Sequence, residues 1–326
     1  MSKLYPLKFR PIYKDKVWGG TRLKGLLGKD FAPLPNCGES WELSGVDGSV
    51  SAVSSGFLMD NQLNELIEIF MGDLVGDRVF GRHGMQFPLL IKFLDTTEPL
   101  SVQVHPGDRM AQERHASFGK TEMWYVMHAE PGAEIITGFR PGVDRVTYGR
   151  HLRDNTIADI LNAEQARAGD VFFIPAGRIH AIGAGITLCE IQQTSDVTYR
   201  VYDWDRPGQD GMPRELHTGE ALEAIDFSPV EAFKTAYTPV LNRSVNLVSC
   251  PYFTTNLIEF DKKIESDYFY LDSFVIYICL EGACTLTCPV GVETLQAGDT
   301  LLLPAEIKQV ELLPATRCKV LEVYQT

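Results

Sequence analysis

One short pattern occurs twice in this 326-residue chain, and it constrains the fold more than any other feature of the sequence. Residues 168–182 read AGDVFFIPAGRIHAI, and residues 297–312 read AGDTLLLPAEIKQVEL. A Gly-Asp pair suits a tight turn, and the apolar run that follows it is typical of a buried strand. Two such units, each within a series of short strands, predict a mainly β chain that folds into two β-barrel or jelly-roll lobes.

The remaining patterns suggest how the chain is divided between these lobes. Apolar residues recur at helical spacing in residues 61–83, and a second helical pattern covers about 147–165. Residues 206–240 are punctuated by Pro and Gly and predict a long connection with a short helix. We therefore predict an N-terminal lobe over 1–240, which contains both helical segments, and a C-terminal lobe over 241–326.

Charge and composition exclude several classes of function. The formal net charge is −13, with no long acidic or basic block, so the chain is a poor binder of nucleic acid and of acidic membranes. No apolar run approaches the roughly 18 residues of a transmembrane helix, and the first residues lack the apolar region of a signal peptide. The seven cysteines are odd in number and scattered. We therefore expect a cytoplasmic protein that binds neither nucleic acid nor membranes.

Candidate metal ligands occur in the first part of the chain. The stretch LSVQVHP alternates in the manner of a strand, so Ser101, Gln103 and His105 share one face. Glu122 follows in GKTEMWYV, and His180 ends the segment IPAGRIH. Two imidazoles and a carboxylate are a common catalytic zinc set, and the absence of thiolates suits zinc or a harder divalent ion. A single strand histidine is more often a hydrogen-bonding residue than a ligand, so both interpretations stay open from these residues alone.

The two copies of the repeat differ at one position that bears on this chemistry. The fifth residue after the proline is His180 in the first copy and Gln309 in the second. If the first lobe binds a metal, the second lobe has lost that ligand. We therefore predict that the C-terminal lobe lacks metal ligands.

Four motifs together resemble those of the type I mannose-6-phosphate isomerases, a family of the cupin superfamily. They are LSVQVHP, GKTEMWYV, GDVFFIPAGRIHAI and EIQQTSDVTYRVYDW, and they occur in the family's order. The resemblance is closest to the shorter bacterial form and covers nearly the whole chain. It implies two cupin-type lobes and one Zn²⁺ per chain, or another divalent ion, held by His105, Glu122, His180 and Gln103.

The resemblance also implies where a substrate is bound. Arg200 matches a family residue that stabilises or relays charge at the reacting carbons, and Glu190 matches a neighbour that acts as acid–base or orienting group. Ser101, Lys92 and Lys120 match positions that contact the sugar phosphate. The alternative for each lysine is a side chain that covers apolar surface while its ammonium stays in water.

The function that the resemblance implies is zinc-dependent interconversion of D-mannose 6-phosphate and D-fructose 6-phosphate through a cis-enediol intermediate. The alternatives are another sugar-phosphate isomerase on the same scaffold, a non-catalytic sugar-sensing cupin, or a metal-dependent dioxygenase. A sensing protein would show loss of a metal ligand or of Arg200, and the sequence keeps both. We expect a small-molecule sugar phosphate as partner and a monomer or small homo-oligomer.

One part of the sequence departs from the longer members of the family. Those members carry a substantial helical insertion, and little between residues 183 and 240 could form one. The stretch TYRVYDWDR also differs from their sequence, although the spacing from Glu190 to Arg200 is kept.

Overall fold

A computed structural model describes residues 4–208 and 210–325 of the chain. Strands account for 38% of the structure and helices for 17%. The described residues form 21 strands, which assemble into four antiparallel sheets. The prediction of a mainly β fold with a small helical portion is therefore confirmed.

Two sheets face each other in the first lobe. The larger has the strand order β2 (Ile12–Lys14), β3 (Glu39–Leu43), β4 (Leu89–Thr96), β11 (Ile186–Gln193), β6 (Glu122–Ala129) and β9 (Val171–Ile174). The smaller has the order β12 (Tyr199–Tyr202), β5 (Val102–Val104), β10 (His180–Ile182), β7 (Glu134–Phe139) and β8 (Leu161–Gln165). Apolar side chains of both sheets meet between them, Leu94 and Trp124 from the larger and Ile182 from the smaller.

Two further sheets form the second lobe. One has the order β1 (Leu7–Lys8), β19 (Thr300–Leu303), β16 (Val275–Glu281), β21 (Cys318–Tyr324), β14 (Thr254–Phe260) and β13 (Arg243–Ser249). The other has the order β15 (Ile264–Asp267), β20 (Gln309–Pro314), β17 (Ala283–Cys288) and β18 (Gly291–Gln296). The orders β13-β14-β21-β16-β19 and β15-β20-β17-β18 repeat β3-β4-β11-β6-β9 and β5-β10-β7-β8 of the first lobe. The lobes therefore share one topology. Strand β1 is an exception, because it belongs to a sheet of the second lobe although its residues precede the first lobe in the sequence. The boundary near residue 240 stays a prediction.

The repeated sequence forms the same turn in both lobes. Gly169 and Gly298 have φ of 91° and 93°, in the region that favours glycine. The following carboxylates close the turn, since Asp170 accepts the backbone N–H of Arg167 at 2.9 Å and Asp299 accepts that of Gln296 at 3.1 Å. The Gly-Asp pair therefore sets the entry into β9 and β19.

Six short α-helices connect strands in the described part of the chain. They are α1 (Arg22–Leu27), α2 (Leu63–Val75), α3 (Asp77–His83), α4 (Asp108–His115), α5 (Arg145–Arg153) and α6 (Thr218–Ala224), with a 3₁₀ turn at Ile157–Ile160. The helical segment predicted at 61–83 contains α2 and α3. The helix predicted over 147–165 ends early, because Asn155 adopts a left-handed φ of 55° and residues 161–165 pair with β7 as strand β8. None of the helices in the described ranges is long and apolar enough to cross a membrane.

Strand β4 separates two cores. Ile91 and Phe93 pack in one cluster with Ile276 and Ile278 of the second lobe. The alternate residue Leu94 packs on the opposite face, within the first lobe. All eight residues of β4 are buried, as expected for a strand covered on both faces. The back of the first lobe is thus held by the second.

Candidate active site and metal centre

Three predicted ligands meet between the sheets of the first lobe. His105 follows β5, Glu122 is the first residue of β6, and His180 is the first residue of β10. All three are buried, and one ligand atom of each lies within 4.8 Å of the others. No other set of three His, Cys, Asp or Glu residues in the described ranges meets this criterion. We call His105, Glu122 and His180 the triad.

Hydrogen bonds set the orientation of both imidazoles. Nδ1 of His105 lies 3.0 Å from the carbonyl oxygen of Val197, and Nδ1 of His180 lies 2.8 Å from that of Arg178. A carbonyl oxygen only accepts, so each Nδ1 carries the proton and each Nε2 presents a lone pair. These lone pairs face Glu122, at 3.5 Å for His105 and 3.4 Å for His180. Backbone carbonyls orient metal-binding imidazoles in this way.

The triad fits a divalent metal ion. Nε2 of His180 is buried and has no hydrogen-bond partner among the described residues, an arrangement that is costly unless another group satisfies the lone pair. Burial lowers the pKa of His180 to about 3, so the imidazole is neutral. The ammonium of Lys120 lies 2.8 Å from Nε2 of His105 and 3.0 Å from Oε2 of Glu122. Nε2 of His105 and Oε2 of Glu122, two of the proposed ligand atoms, therefore both contact the positive charge of Lys120.

Gln103 connects the triad to Arg200. In the smaller sheet His180 lies opposite Gln103, and Gln103 lies opposite Arg200. Residues directly opposite in antiparallel strands project to the same face. Gln103 and Arg200 both line a cavity between the two sheets, together with Ser101.

On the other side of the cavity, four side chains form a row across the larger sheet, as His180, Gln103 and Arg200 do across the smaller one. Trp41, Lys92, Glu190 and Trp124 lie opposite one another on adjacent strands. Oε1 of Glu190 accepts the indole N–H of Trp124 at 2.9 Å, and its Oε2 lies 3.3 Å from the ammonium of Lys92. That ammonium is also 5.1 Å from the centre of the Trp41 ring.

The two lysines do not extend into water. Lys92 is 3% exposed and Lys120 is 5% exposed, and both ammonium groups end at carboxylates. Burial raises the pKa of Glu190, but the ammonium groups of Lys92 and Lys120 outweigh it and lower that pKa to about 2. Glu190 is therefore a carboxylate. The alternative of lysines that merely cover apolar surface is wrong for both positions.

The cavity has a volume of about 310 Å³ and a cationic wall. The lining contains five basic and three acidic residues. The basic residues are Lys16, Lys92, Lys120, Arg200 and Arg214, and the acidic residues are Glu39, Glu190 and Asp196. A chain with a net charge of −13 thus builds a site with excess positive charge. Such a site suits an anionic ligand and concentrates it locally.

The cavity thus gathers the predicted residues outside the triad. They are Lys92, Ser101, Gln103, Lys120, Glu190 and Arg200. Sequence reasoning missed Lys16 and Arg214, which lie outside the regular strands and follow no periodic pattern. The roles predicted for the individual residues stay predictions.

The second lobe differs at the positions equivalent to the triad. Gln309 begins β20 as His180 begins β10, and Gln309 is exposed. Val275 lies opposite Leu303 as Glu122 lies opposite Ile174, and Leu303 and Ile174 are both the fourth residue after the aspartate of the repeat. Two of the three ligand positions thus hold residues that do not match the triad.

Comparisons with known proteins identify relatives of the whole chain. The model of the type I phosphomannose isomerase catalytic domain matches residues 6–131. The mannose-6-phosphate isomerase ManA of Bacillus subtilis is 32% identical over 322 residues, which cover 96% of this chain and 97% of that protein. A mannose-6-phosphate isomerase of Streptococcus mutans is 33% identical over 305 residues, 93% of each chain.

A solved structure extends this similarity to three dimensions. The crystal structure of the mannose 6-phosphate isomerase from Bacillus subtilis superimposes with a TM-score of 0.88 at 31% identity and covers 98% of this chain and 99% of that one. The similarity includes both lobes, so the predicted pair of cupin-type lobes is confirmed. With near-complete coverage in sequence and in structure, the chain belongs to the type I mannose-6-phosphate isomerase family.

Proposed function

We propose that the protein interconverts D-mannose 6-phosphate and D-fructose 6-phosphate with one bound Zn²⁺. The observation that carries this proposal is the position of the triad beside a cavity with a cationic wall. Relatives similar over nearly the whole chain are named mannose-6-phosphate isomerases. Two imidazoles and a carboxylate without a thiolate support zinc as the ion.

His105, Glu122 and His180 would hold the ion, with the amide oxygen of Gln103 as the proposed fourth ligand. When bound, such an ion supplies Lewis-acid polarisation of a carbonyl oxygen, a contribution of several kcal/mol. Isomerisation moves a hydrogen between C1 and C2 of the open sugar through a cis-enediol. The residues of the chain must therefore bind the sugar, orient it and stabilise the charge that develops on its oxygens.

Arg200 is suited to stabilise that charge. One end of its guanidinium is fixed, because NH1 donates to the carbonyl oxygen of Glu215 at 2.8 Å. Its Nε–H is buried and has no partner within the described residues. We place this group at the oxygens of the enediolate, where a preorganised donor stabilises charge without having to reorganise.

Glu190 serves as a fixed carboxylate beside the reacting carbons. Both of its oxygens have partners, the indole N–H of Trp124 and the ammonium of Lys92. These contacts support an orienting role, in which Glu190 holds Lys92 toward the sugar. Proton transfer by Glu190 would require it to leave one of these partners.

Ser101, Lys92 and Lys120 are proposed to bind the sugar phosphate. Both lysine ammonium groups contact carboxylates of the triad or of Glu190, so they serve the end of the sugar that reacts. The chain would act in the cytoplasm, a location supported by cysteines that are all free in the structure. A monomer or a small homo-oligomer stays a prediction.

A coupled isomerase assay combined with metal analysis of the same sample tests this function. We expect turnover of mannose 6-phosphate and about one zinc ion per chain. Faster turnover of another aldose or ketose phosphate would favour a different isomerase on the same scaffold. Sugar-phosphate binding without any turnover would favour a sensing protein instead.

A further inference from the structure

The segment after β12 folds back over it. The backbone N–H of His217 donates to the carbonyl oxygen of Arg200 at 2.7 Å, and the backbone N–H of Arg200 donates to Nδ1 of His217 at 3.2 Å. NH1 of Arg200 also donates to the carbonyl oxygen of Glu215. The returning chain therefore brings Arg214 next to Arg200 at the cavity. This segment begins in TYRVYDWDR, the stretch that differs from the longer members of the family.

Asp203 holds this segment from behind the cavity wall. Its Oδ2 accepts Nε–H of Arg214 at 2.6 Å, and its Oδ1 accepts NH2 of Arg214 at 2.5 Å and NH2 of Arg206 at 3.0 Å. Asp203 is only 6% exposed and does not line the cavity, whereas Arg214 does. A two-point arginine–carboxylate contact fixes direction as well as distance. Asp203 therefore determines where the guanidinium of Arg214 lies.

The charges around Asp203 do not balance. The guanidinium groups of Arg206 and Arg214 contact this single carboxylate, and that of Arg200 is near enough to interact with it electrostatically. Two acidic groups of the same segment are directed elsewhere, since the Glu215 side chain is 84% exposed and the carboxylate of Asp205 accepts the hydroxyl of Tyr202 at 3.1 Å. An excess of positive charge at a cavity wall calls for an anion.

The contact with Asp203 leaves one end of the Arg214 guanidinium available to an anion. Asp203 accepts from Nε and NH2 of Arg214, so the third nitrogen, NH1, is directed away from that carboxylate. Arg214 lines the cavity, whereas Arg206, whose Nε and NH1 are buried without a hydrogen bond in the described ranges, does not. An anion in the cavity would offer acceptors and opposite charge to Arg214.

The position of this group fits one end of the proposed substrate. Lys92 and Lys120 contact Glu190 and Glu122, near the triad where C1 and C2 would react. The phosphate on C6 lies at the opposite end of the sugar from these carbons. Arg214, a cation of the cavity wall separate from the two lysines, is available to the phosphate.

We infer that Asp203 is a positioning residue that holds Arg214 at the cavity wall, and that Arg214 contacts the phosphate group of the substrate. The identity of the substrate rests on the proposed function, whereas the anion subsite rests on the contacts of Asp203. Arg214 would act on binding and not on the chemical step. Changes at either residue should therefore affect KM more than kcat.

The variant Asp203→Asn tests the inference, with inorganic phosphate as the probe. An amide keeps one acceptor and loses the charge, so we expect phosphate binding measured by calorimetry to weaken by about tenfold. KM for mannose 6-phosphate should rise by about the same factor, with kcat changed less than about threefold. Arg214→Gln should behave alike, and Arg214→Lys should recover part of the loss because it restores the charge but not the two-point contact. Asp205→Asn, the matched control, should bind phosphate as the unchanged protein does.

Phosphate binding within about twofold of the unchanged protein in a folded Asp203→Asn variant would overturn the inference. If that variant does not fold, Arg214→Gln decides the question, because it leaves the contact between Asp203 and Arg206 in place. Phosphate binding is measured without turnover. Loss of binding in the variants of a protein that fails to isomerise mannose 6-phosphate would therefore support the subsite and contradict only the proposed function.

Discussion

Glu322 in the second lobe occupies the same sheet position as Glu190 in the first. Glu190 lies opposite Trp124 on β6, and Glu322 lies opposite Tyr277 on β16. Trp124 and Tyr277 each lie opposite the second residue after the aspartate of the local repeat. The two glutamates are therefore equivalent in the shared topology.

Their partners differ in charge. The residue opposite Glu190 on the next strand is Lys92, whereas Asn256 lies opposite Glu322. Asn256 donates to Glu322 at 2.9 Å, and the hydroxyl of Tyr268 donates to its other oxygen. One position of the fold thus carries a charged pair at a cavity in the first lobe and a hydrogen-bonded carboxylate in a closed core in the second.

Exchanging each glutamate for glutamine should separate these roles. Glu322→Gln should lower the free energy of unfolding by about 1–3 kcal/mol, because it weakens hydrogen bonds to a charged group, and should leave kcat unchanged. Glu190→Gln should lower kcat strongly, because Lys92 loses its charged partner. Denaturant unfolding and steady-state kinetics on both variants check this, and equal effects on kcat would contradict it.

His180→Gln places in the first lobe the residue type that Gln309 provides at the equivalent position of the second. The variant places an amide where the ion needs an imidazole, so we expect metal content to fall from about one ion per chain to a small fraction, with loss of turnover. Metal analysis of the purified variant measures this. The matched control is His128→Gln on β6, whose side chain is half-buried and outside the triad. A variant at His180 that retains its metal would remove it from the ligand set.

Arg200→Ala should keep the metal and lose turnover. Removal of a preorganised donor at a developing oxyanion costs roughly 10²–10³ in kcat. Arg200→Lys should restore part of the rate, since it keeps the charge without the planar donor set. Steady-state kinetics and metal analysis on the same preparations test this, and an unchanged kcat would exclude Arg200 from the mechanism.

Removal of the metal should abolish activity and lower stability. A ligand that binds only the folded state stabilises it by about 2.7 kcal/mol at 100 times its Kd. Chelation should therefore lower the unfolding midpoint as well as the rate, and added Zn²⁺ or Co²⁺ should restore both. Full activity in protein shown to be metal-free would refute the metal hypothesis.

Phe93→Ala should destabilise both lobes together. Phe93 is fully buried in the cluster that joins β4 to the second lobe, and truncation of such a side chain costs about 3–5 kcal/mol. Because the core is shared, unfolding should remain a single transition at a lower temperature. Calorimetry measures this, and two separate transitions, of which only one moves, would show that the lobes are independent.

The sequence predicts the features that repeat or alternate. The AGD pattern predicts two related lobes because Gly169 and Gly298 start the same turn, and the alternation in LSVQVHP places Gln103 toward the cavity. The sequence pattern predicts helix where β8 forms, because the pairing of β8 with β7 depends on residues distant in sequence. The sequence does not predict that Arg214 and Lys16 line the cavity, for a related reason. Their positions depend on how the chain returns to the sheets, and Asp203 fixes the return of Arg214 through a contact that no local pattern reveals.

Because β1 pairs with β19, β1 stays unpaired during synthesis until β19 has left the ribosome. The apolar face around Ile91 and Phe93 is likewise without its cover until the second lobe has emerged. Unfinished chains therefore expose a hydrophobic sheet face and an unpaired strand, both of which promote aggregation. The second lobe thus protects the first from aggregation as well as stabilising it.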